Sequence, residues 1–143
     1  ILDNKLDTNI KSYLFKTANK NNTVIFYNEA DKSKIIKFKK NKINLVKSNI
    51  NNDKKFDIKI IMKKLYKLGC RNLLIEGGND LTQNLLNKKI FNKFYLFKGQ
   101  KKLSKLVEHK EFIGLKDLKK NYKNKQNLKS NFGNNTVTLF KKK

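Results

Sequence analysis

The residues best suited to carry chemistry lie where an apolar run ends in Glu76, Gly77 and Gly78 and a helical pattern begins. Glycines let a backbone approach a ligand closely, and the amides at a helix start attract a phosphate or pyrophosphate. In open parallel sheets, ligands bind beyond the carboxyl ends of the strands. The same pattern also fits an ordinary strand-to-helix turn with Glu76 exposed and Asn79 or Asp80 as the helix cap. The motif by itself favours neither interpretation.

The elements around this motif alternate between apolar runs and helical patterns, which is typical of an α/β fold with a largely parallel sheet. The apolar runs predict strands of one sheet, with an antiparallel last strand, at 23–27, 43–46, 72–76, 93–97 and 135–140. Helical spacing predicts helices at 30–40, at 58–68 and directly after Gly78. Asp57 is the expected N-cap of the second helix, and Gly69 is its expected C-terminal glycine. The segment 98–130 is lysine-rich and receives no assignment.

Several other side chains could take part in chemistry, but each has a simpler structural explanation. Cys70 precedes an apolar run and is expected to be a small packing residue. His109 lies in a charged stretch that we expect to be exposed. For Arg71 we favour a surface salt bridge over a phosphate contact. The aromatic residues of 93–97 are expected in an apolar sheet core rather than stacked on bases.

The formal net charge of +24 suggests a polyanionic partner, but the type of basic residue argues against a sequence-reading protein. Arg71 is the single arginine, and all other basic residues are lysines. A protein that reads bases would use the bidentate fork of arginine more often. Abundant Lys, Asn and Ile are what an AT-rich genome encodes. We therefore expect no specific nucleic-acid partner and only weak DNA binding that is lost at physiological salt.

The small numbers of cysteine and histidine limit the chemistry further. One Cys and one His exclude an internal disulfide and a Cys-rich metal site, so no metal is predicted. A single cysteine fits a reducing cytoplasm. No stretch approaches the ~20 consecutive apolar residues of a membrane-spanning helix. The length and the even composition predict a single domain over 1–143.

The block Leu-Gly-Cys-Arg-Asn-Leu-Leu-Ile-Glu-Gly-Gly-Asn-Asp-Leu at 68–81 resembles the C-terminal reductase of the bifunctional riboflavin-biosynthesis deaminase/reductase. That family has a helix, a glycine, a short strand, Glu-Gly-Gly and a helix, followed by an apolar strand like 93–97. The opening Ile-Leu-Asp-Asn-Lys-Leu at 1–6 is similar to the family's Val-Leu-Asp-Ser-x-Leu segment. The resemblance covers roughly 1–100 and the final strand.

This resemblance implies a dihydrofolate-reductase-like three-layer fold, with a mostly parallel central sheet and an antiparallel C-terminal strand. The implied reaction is hydride transfer from NADPH to the ribosylamino group of a pyrimidine ribosyl phosphate, 5-amino-6-(5-phosphoribosylamino)uracil. The product carries a ribitylamino group. Reductases of this type commonly pair, so a homodimer is implied as well.

The resemblance also assigns roles to residues of this chain. Asn4 stands where the family contacts the dinucleotide from the end of a strand. Glu76 matches the acid that touches the pyrimidine. The loop and helix start that hold the cofactor's phosphates match Gly78, Asn79, Asp80, Leu81, Thr82, Gln83 and Asn84. Because the hydride comes from the cofactor, no catalytic side chain is implied.

The chain departs from the family pattern in several places. Asp7 and Asn9 occupy positions where the family usually has Arg and Pro. The family's opening segments, including Lys-x-Ala-x-Ser-x-Asp-Gly, are missing, so we expect a partial reductase domain that lacks its N-terminal part. The alternative hypothesis is a basic nucleic-acid-binding domain of α/β fold. Finding Lys-x-Ala-x-Ser-x-Asp-Gly encoded upstream would decide between the two.

Overall fold

The computed structural model describes residues 1–18, 22–100, 112, 114–129 and 133–142, which form a mixed α/β structure. The contacts divide the chain into two compact units. The N-terminal unit is Ile1–Leu73 and the C-terminal unit is Leu74–Lys143. Among the described residues, none of the helices has the length and apolar character needed to cross a membrane.

The N-terminal unit contains a short parallel sheet with helices around it. Its elements are α1 (Tyr13–Thr17), β1 (Val24–Tyr27), α2 (Lys32–Lys40), β2 (Asn44–Lys47) and α3 (Ile58–Lys67). Strands β1 and β2 run parallel, with Val24 opposite Asn44. Leu2 forms an isolated parallel bridge to Phe26 on the other side of β1. The predicted strands 23–27 and 43–46 and the predicted helices 30–40 and 58–68 are confirmed within two residues at each end, whereas α1 was not predicted.

The core of this unit explains why β1 is apolar at consecutive positions. Ile25 packs in a cluster with Phe38 of α2, while its neighbour Phe26 packs on the other side of the strand with Ile61 of α3. A strand that is covered on both faces needs no polar side. The rings of Phe15 and Phe38 meet edge to face, with centroids 5.0 Å apart.

The ends of α3 follow the sequence pattern. The carboxylate of Asp57 accepts a hydrogen bond from the Lys59 amide at 2.9 Å, so the predicted N-cap is confirmed. Gly69 has a φ of 90° and donates its amide to the Tyr66 carbonyl at 3.0 Å, as expected of a helix-ending glycine. Leu68, the last residue of the predicted helix, is 51% exposed, because the backbone leaves the helix at this C-cap residue.

The C-terminal unit contains an antiparallel sheet and two helices. Its elements are α4 (Asn79–Asn87), β3 (Lys93–Lys98), α5 (Gly114–Asn121), β4 (Lys125–Leu128) and β5 (Thr136–Lys141). The strand order is β3-β5-β4, and both pairings are antiparallel. The helix after Gly78, the strand at 93–97 and the antiparallel final strand are confirmed. Part of the unassigned segment forms α5 and β4.

One face of this sheet packs on the two helices. Phe94 and Phe140 are directly opposite each other and share a cluster with Leu118 of α5. Tyr95 and Phe97 point to the other face because side chains alternate along a strand. They are 44% and 66% exposed. The prediction that all aromatic residues of 93–97 belong to the core is therefore wrong for these two.

The predicted strand at 72–76 is absent, which is the main correction to the expected fold. The segment forms no ladder with either sheet, and Leu73 and Leu74 are 46% and 79% exposed. A strand needs a neighbour that pairs with its amides and carbonyls, and none of the described strands pairs with this segment. The prediction of one mostly parallel sheet is consequently wrong for the described residues, which form one parallel pair and one antiparallel three-stranded sheet.

Lys89 has a backbone conformation that is more favourable for glycine, and this leads to a testable prediction. It follows α4 with a φ of 53°, and its amide donates to the Leu86 carbonyl at 3.0 Å. A side chain in this left-handed region is strained. We expect Lys89→Gly to raise the free energy of unfolding by about 0.5–1 kcal/mol, measured by urea denaturation. Gly69→Ala, at the equivalent position after α3, should lower it by a similar amount. If Lys89→Gly lowered the free energy of unfolding, the left-handed conformation of Lys89 would not be strained.

Candidate functional site

The turn before α4 is fixed by backbone and side-chain hydrogen bonds. Gly78 is the N-cap, with φ −65° and ψ 178°, and it has no side chain to cap the helix. The Thr82 hydroxyl donates to the Gly77 carbonyl at 3.2 Å, and the Thr82 amide donates to the Gly78 carbonyl at 3.1 Å. Thr82 therefore holds the turn in place from within the helix. Glu76, just before the glycines, is exposed.

The presence of glycine at the two positions of this turn has two different structural explanations. A Cβ atom added to Gly77 would lie 2.7 Å from the Leu81 side chain, so Leu81 packs where a side chain at 77 would stand. A Cβ atom added to Gly78 would meet nothing within 4 Å. A side chain at Gly77 would thus have to displace the side chain of Leu81. A side chain at Gly78 would displace nothing, and the backbone there is open to an approaching molecule.

The electrostatics at the start of α4 combine two opposing contributions. The helix dipole and the first-turn amides attract negative charge, and no side chain of the N-cap competes for them. Asp80 in the first turn is exposed and repels an anion. A phosphate bound here would have to lie closer to the first-turn amides than to the carboxylate of Asp80.

Gln83 connects α4 to α5. Its side-chain amide nitrogen donates to Asp117 at 2.8 Å and to Asn87 at 2.7 Å, while its Oε1 atom is buried and none of the described residues donates to it. The remaining members of the predicted set, Asn79, Leu81 and Asn84, are half-buried along the same helix. Sequence reasoning missed Asp117, because no pattern in the unassigned segment relates it to a residue 34 positions earlier.

Asn4 lies in the N-terminal unit, at the carboxyl end of the short extended piece beside β1. The Asp3 amide donates to the Phe26 carbonyl at 2.9 Å, and the Asn4 carbonyl accepts from the amides of Asn28 and Glu29. The Oδ1 atom of Asn4 is buried and has no hydrogen-bond partner in the described part of the chain. A buried acceptor of this kind is costly unless a donor reaches it. The position at strand ends agrees with where α/β proteins bind ligands.

The loop after Asn4 is held by the carboxylate of Asp3. It accepts from the Asp7 amide at 2.9 Å, from the Thr8 amide at 2.7 Å and from the Thr8 hydroxyl at 2.6 Å. Partial burial raises the pKa of Asp3, but these hydrogen bonds outweigh it and leave the pKa below its ordinary value of 3.8. Asp3 therefore fixes the backbone on which Asn4 stands.

The depressed pKa of Asp3 makes stability depend on pH. Its contribution is complete above the unfolded-state pKa and is lost as the pH falls through the lower folded-state pKa. We expect Asp3→Asn to remove this acid-sensitive part and to cost on the order of 1–2 kcal/mol at neutral pH. Urea denaturation from about pH 7 to about pH 3 measures both effects.

The control for this prediction is Asp53→Asn. Asp53 is exposed and receives one long side-chain hydrogen bond of 3.4 Å, from Asn51. Its substitution should leave the pH profile of stability unchanged. If Asp3→Asn follows the wild-type profile as closely as Asp53→Asn does, Asp3 does not stabilise the loop.

Asp7, which departs from the family pattern, has a local structural role. It forms an ion pair with Lys34 of α2 at 2.6 Å, and the same ammonium donates to the Lys5 carbonyl at 3.1 Å. The hydrogen bond that Lys34 donates to the Asp7 carboxylate raises the pKa of Lys34. Since both side chains are well exposed, the pair joins the loop to α2 with little gain in stability.

The remaining candidates have simple contacts. Among the described residues, no carboxylate pairs with Arg71; its guanidinium lies 4.1 Å from the centroid of the Tyr66 ring and donates to the Tyr66 carbonyl at 2.8 Å. Cys70 is a half-buried free thiol. His109 lies outside the described residues. Within the described residues, no three His, Cys, Asp or Glu side chains come together.

Comparison with known proteins supplies the context for this geometry. Residues 1–129 match a family described as the RibD C-terminal domain. One curated relative is the riboflavin biosynthesis protein RibD of Aquifex aeolicus (strain VF5), which is 24% identical over 142 residues. The match covers 99% of this chain and 38% of the relative, so the chain spans well under half of that protein's length.

Proposed function

The chain belongs to the RibD C-terminal domain family, and we propose that it is the cofactor-binding later part of an NADPH-dependent reductase of riboflavin biosynthesis. The proposed substrate is 5-amino-6-(5-phosphoribosylamino)uracil, whose ribosylamino group is reduced to a ribitylamino group. The observation that carries the proposal is the open, uncapped start of α4 directly after Glu76, within a chain of this family. We further propose a single dihydrofolate-reductase-like domain that acts in the cytoplasm as a homodimer.

For the cofactor, we propose that the backbone amides at the start of α4 hold phosphate groups. Gly78 leaves room for their approach, and the helix dipole favours their charge. The proposed set is Gly78, Asn79, Asp80, Leu81, Thr82, Gln83 and Asn84. Thr82 acts by fixing the turn, and Gln83 by holding α4 against α5. NADPH, when bound, supplies the hydride.

A second proposed cofactor contact is Asn4. Its buried Oδ1 atom has no hydrogen-bond partner among the residues that the structure describes, so a hydroxyl or amide donor of the dinucleotide would satisfy it. The hydrogen bonds of Asp3 keep this backbone in place. Asn4 is therefore a binding residue in this proposal and moves no proton.

For the pyrimidine, we propose Glu76 as the residue that orients the ring. Its carboxylate is exposed and stands next to the two glycines, so it can accept hydrogen bonds from ring N–H or amino groups. Such a contact directs the acceptor carbon towards the nicotinamide, and this effect of orientation lowers the barrier without a catalytic acid.

The proposal is tested with the protein that the intact gene encodes. Steady-state oxidation of NADPH should depend on the pyrimidine substrate and yield the ribitylamino product. Glu76→Gln keeps the shape of the side chain and removes its charge. It should lower turnover about 10-fold or more and leave NADPH affinity within about twofold of the wild type, because the lost contacts are charge-assisted bonds to the pyrimidine.

Two results would contradict this function. If the intact protein neither binds NADPH nor turns over the pyrimidine, the reductase assignment is wrong. If Glu76→Gln turns over the substrate as fast as the wild type, Glu76 does not orient it. Glu29→Gln is the matched control, because Glu29 is also an exposed glutamate that precedes a helix; its backbone amide contacts the Asn4 carbonyl, but its side chain has no assigned role.

A further inference from the structure

The outward face of α3 carries a row of lysines that the reductase proposal does not use. Lys59, Lys63 and Lys67 follow one another at intervals of four residues, and all three are exposed. Residues at this spacing lie above one another on one side of a helix, in steps of about 6 Å. The row therefore presents three positive charges along one line.

No negative charge within α3 compensates the three positive charges of this row. The helix has no acidic residue between its first and last positions, and none of the three lysines forms an ion pair with a described residue. Like charges four residues apart destabilise a helix. Lys64, by contrast, lies beside the row and donates to the Lys47 carbonyl at 2.6 Å, a structural contact. The row costs the isolated protein some stability, which an external anion would restore.

An aromatic ring and the single arginine extend the same face. Tyr66 lies beside the row, three residues after Lys63 in α3, and is 62% exposed. The Arg71 guanidinium rests 4.1 Å from the centroid of this ring, and its hydrogen bond to the Tyr66 carbonyl holds it there. The face thus combines a line of ammonium groups with an exposed ring and an ordered guanidinium.

We propose that this face of α3, formed by Lys59, Lys63, Tyr66, Lys67 and Arg71, binds single-stranded nucleic acid without sequence preference. The lysines and the guanidinium contact backbone phosphates, and a base stacks on the exposed part of the Tyr66 ring. This is a binding activity separate from the proposed reductase. It requires no base-reading arginines, because phosphate contacts alone carry no sequence information.

Charge and burial favour this partner over two others. A second copy of the chain also carries a formal net charge of +24, so two such faces repel each other. A membrane surface would need the apolar side of the helix free for insertion. In α3 that side is occupied, because Ile58 and Ile61 are buried in the core of the N-terminal unit.

The test measures binding of a fluorescently labelled, mixed-sequence single-stranded DNA oligonucleotide by anisotropy between about 50 and about 200 mM salt. Replacing Lys59, Lys63 and Lys67 together by Gln should reduce the slope of log affinity against log salt by about 2, since each lost phosphate contact contributes about 0.7. The matched control replaces Lys32, Lys37 and Lys40 of α2, which are exposed, by Gln. It removes the same net charge and should leave the slope unchanged.

A second variant tests the ring. Tyr66→Leu should lower affinity about 5- to 100-fold at every salt concentration while the slope stays near that of the wild type, because stacking does not release counterions. Circular dichroism confirms that each variant retains its helices, and NADPH turnover should be unaffected. Equal losses in the two triple variants, or equally tight binding of phosphatidylserine vesicles, would overturn the proposal.

Discussion

Gly78→Val is expected to weaken NADPH binding about 10- to 100-fold without unfolding the protein. The valine side chain would stand where the phosphates approach the amides of α4, so at least one charge-assisted hydrogen bond would be lost. The fold has room for it, because a Cβ at Gly78 meets no atom within 4 Å and its φ of −65° suits any residue. Fluorescence titration of NADPH and a thermal melt of the same sample measure the two quantities.

The neighbouring glycine provides the control for this result. A Cβ at Gly77 would lie 2.7 Å from the Leu81 side chain, so Gly77→Val should lower the melting temperature. The two substitutions are chemically identical and one residue apart, yet one should affect binding and the other stability. A folded Gly78→Val protein that binds NADPH as tightly as the wild type would show that the start of α4 does not hold the phosphates.

Local sequence signals predicted local structure well. Asp57 and Gly69 mark the two ends of α3 because capping depends on side chains and backbone conformations within a few residues. The continuous apolar run of β1 is explained by the separate clusters on either side of Ile25 and Phe26. The local contacts that determine these elements are reflected in the spacing of capping and apolar residues along the sequence.

Strand pairing was predicted less well, because it depends on distant partners. The run at 72–76 has the composition of a buried strand, but none of the described strands pairs with it, and Leu74 is exposed. The polar strand β4 was not predicted, since its only signal is its pairing with β5. Leu118 of α5 and Tyr122, which directly follows this helix, have helical spacing, but the surrounding lysines obscured it.

In the candidate site, too, local features could be predicted from the sequence, whereas long-range contacts could not. The position of the glycines before a helix was evident from the sequence and is confirmed by α4. The different roles of Gly77 and Gly78 were not evident, because only the packing of Leu81 distinguishes them. The link from Gln83 to Asp117 also joins residues that no local pattern connects.

Phe38→Ala should produce the largest loss of stability, about 3–5 kcal/mol, which is a large part of the ~5–15 kcal/mol that stabilises a typical domain. Phe38 is 2% exposed and packs edge to face on Phe15, with an angle of 86° between the rings. Truncation removes the buried ring and leaves a cavity between α2 and the β1 side of the core, where Ile25 is its neighbour. Urea denaturation of the variant and the wild type gives the difference in the free energy of unfolding.

Ile36→Ala on the same helix is the matched control, because it also shortens an apolar side chain to alanine. Ile36 is 54% exposed, so its truncation should cost no more than about 1 kcal/mol. The two residues are two positions apart and lie on different sides of α2. If Ile36→Ala were as destabilising as Phe38→Ala, α2 would be packed through another face. The cluster of Phe15, Ile25 and Phe38 would then not be the core that supports β1 and the backbone of Asn4 beside it.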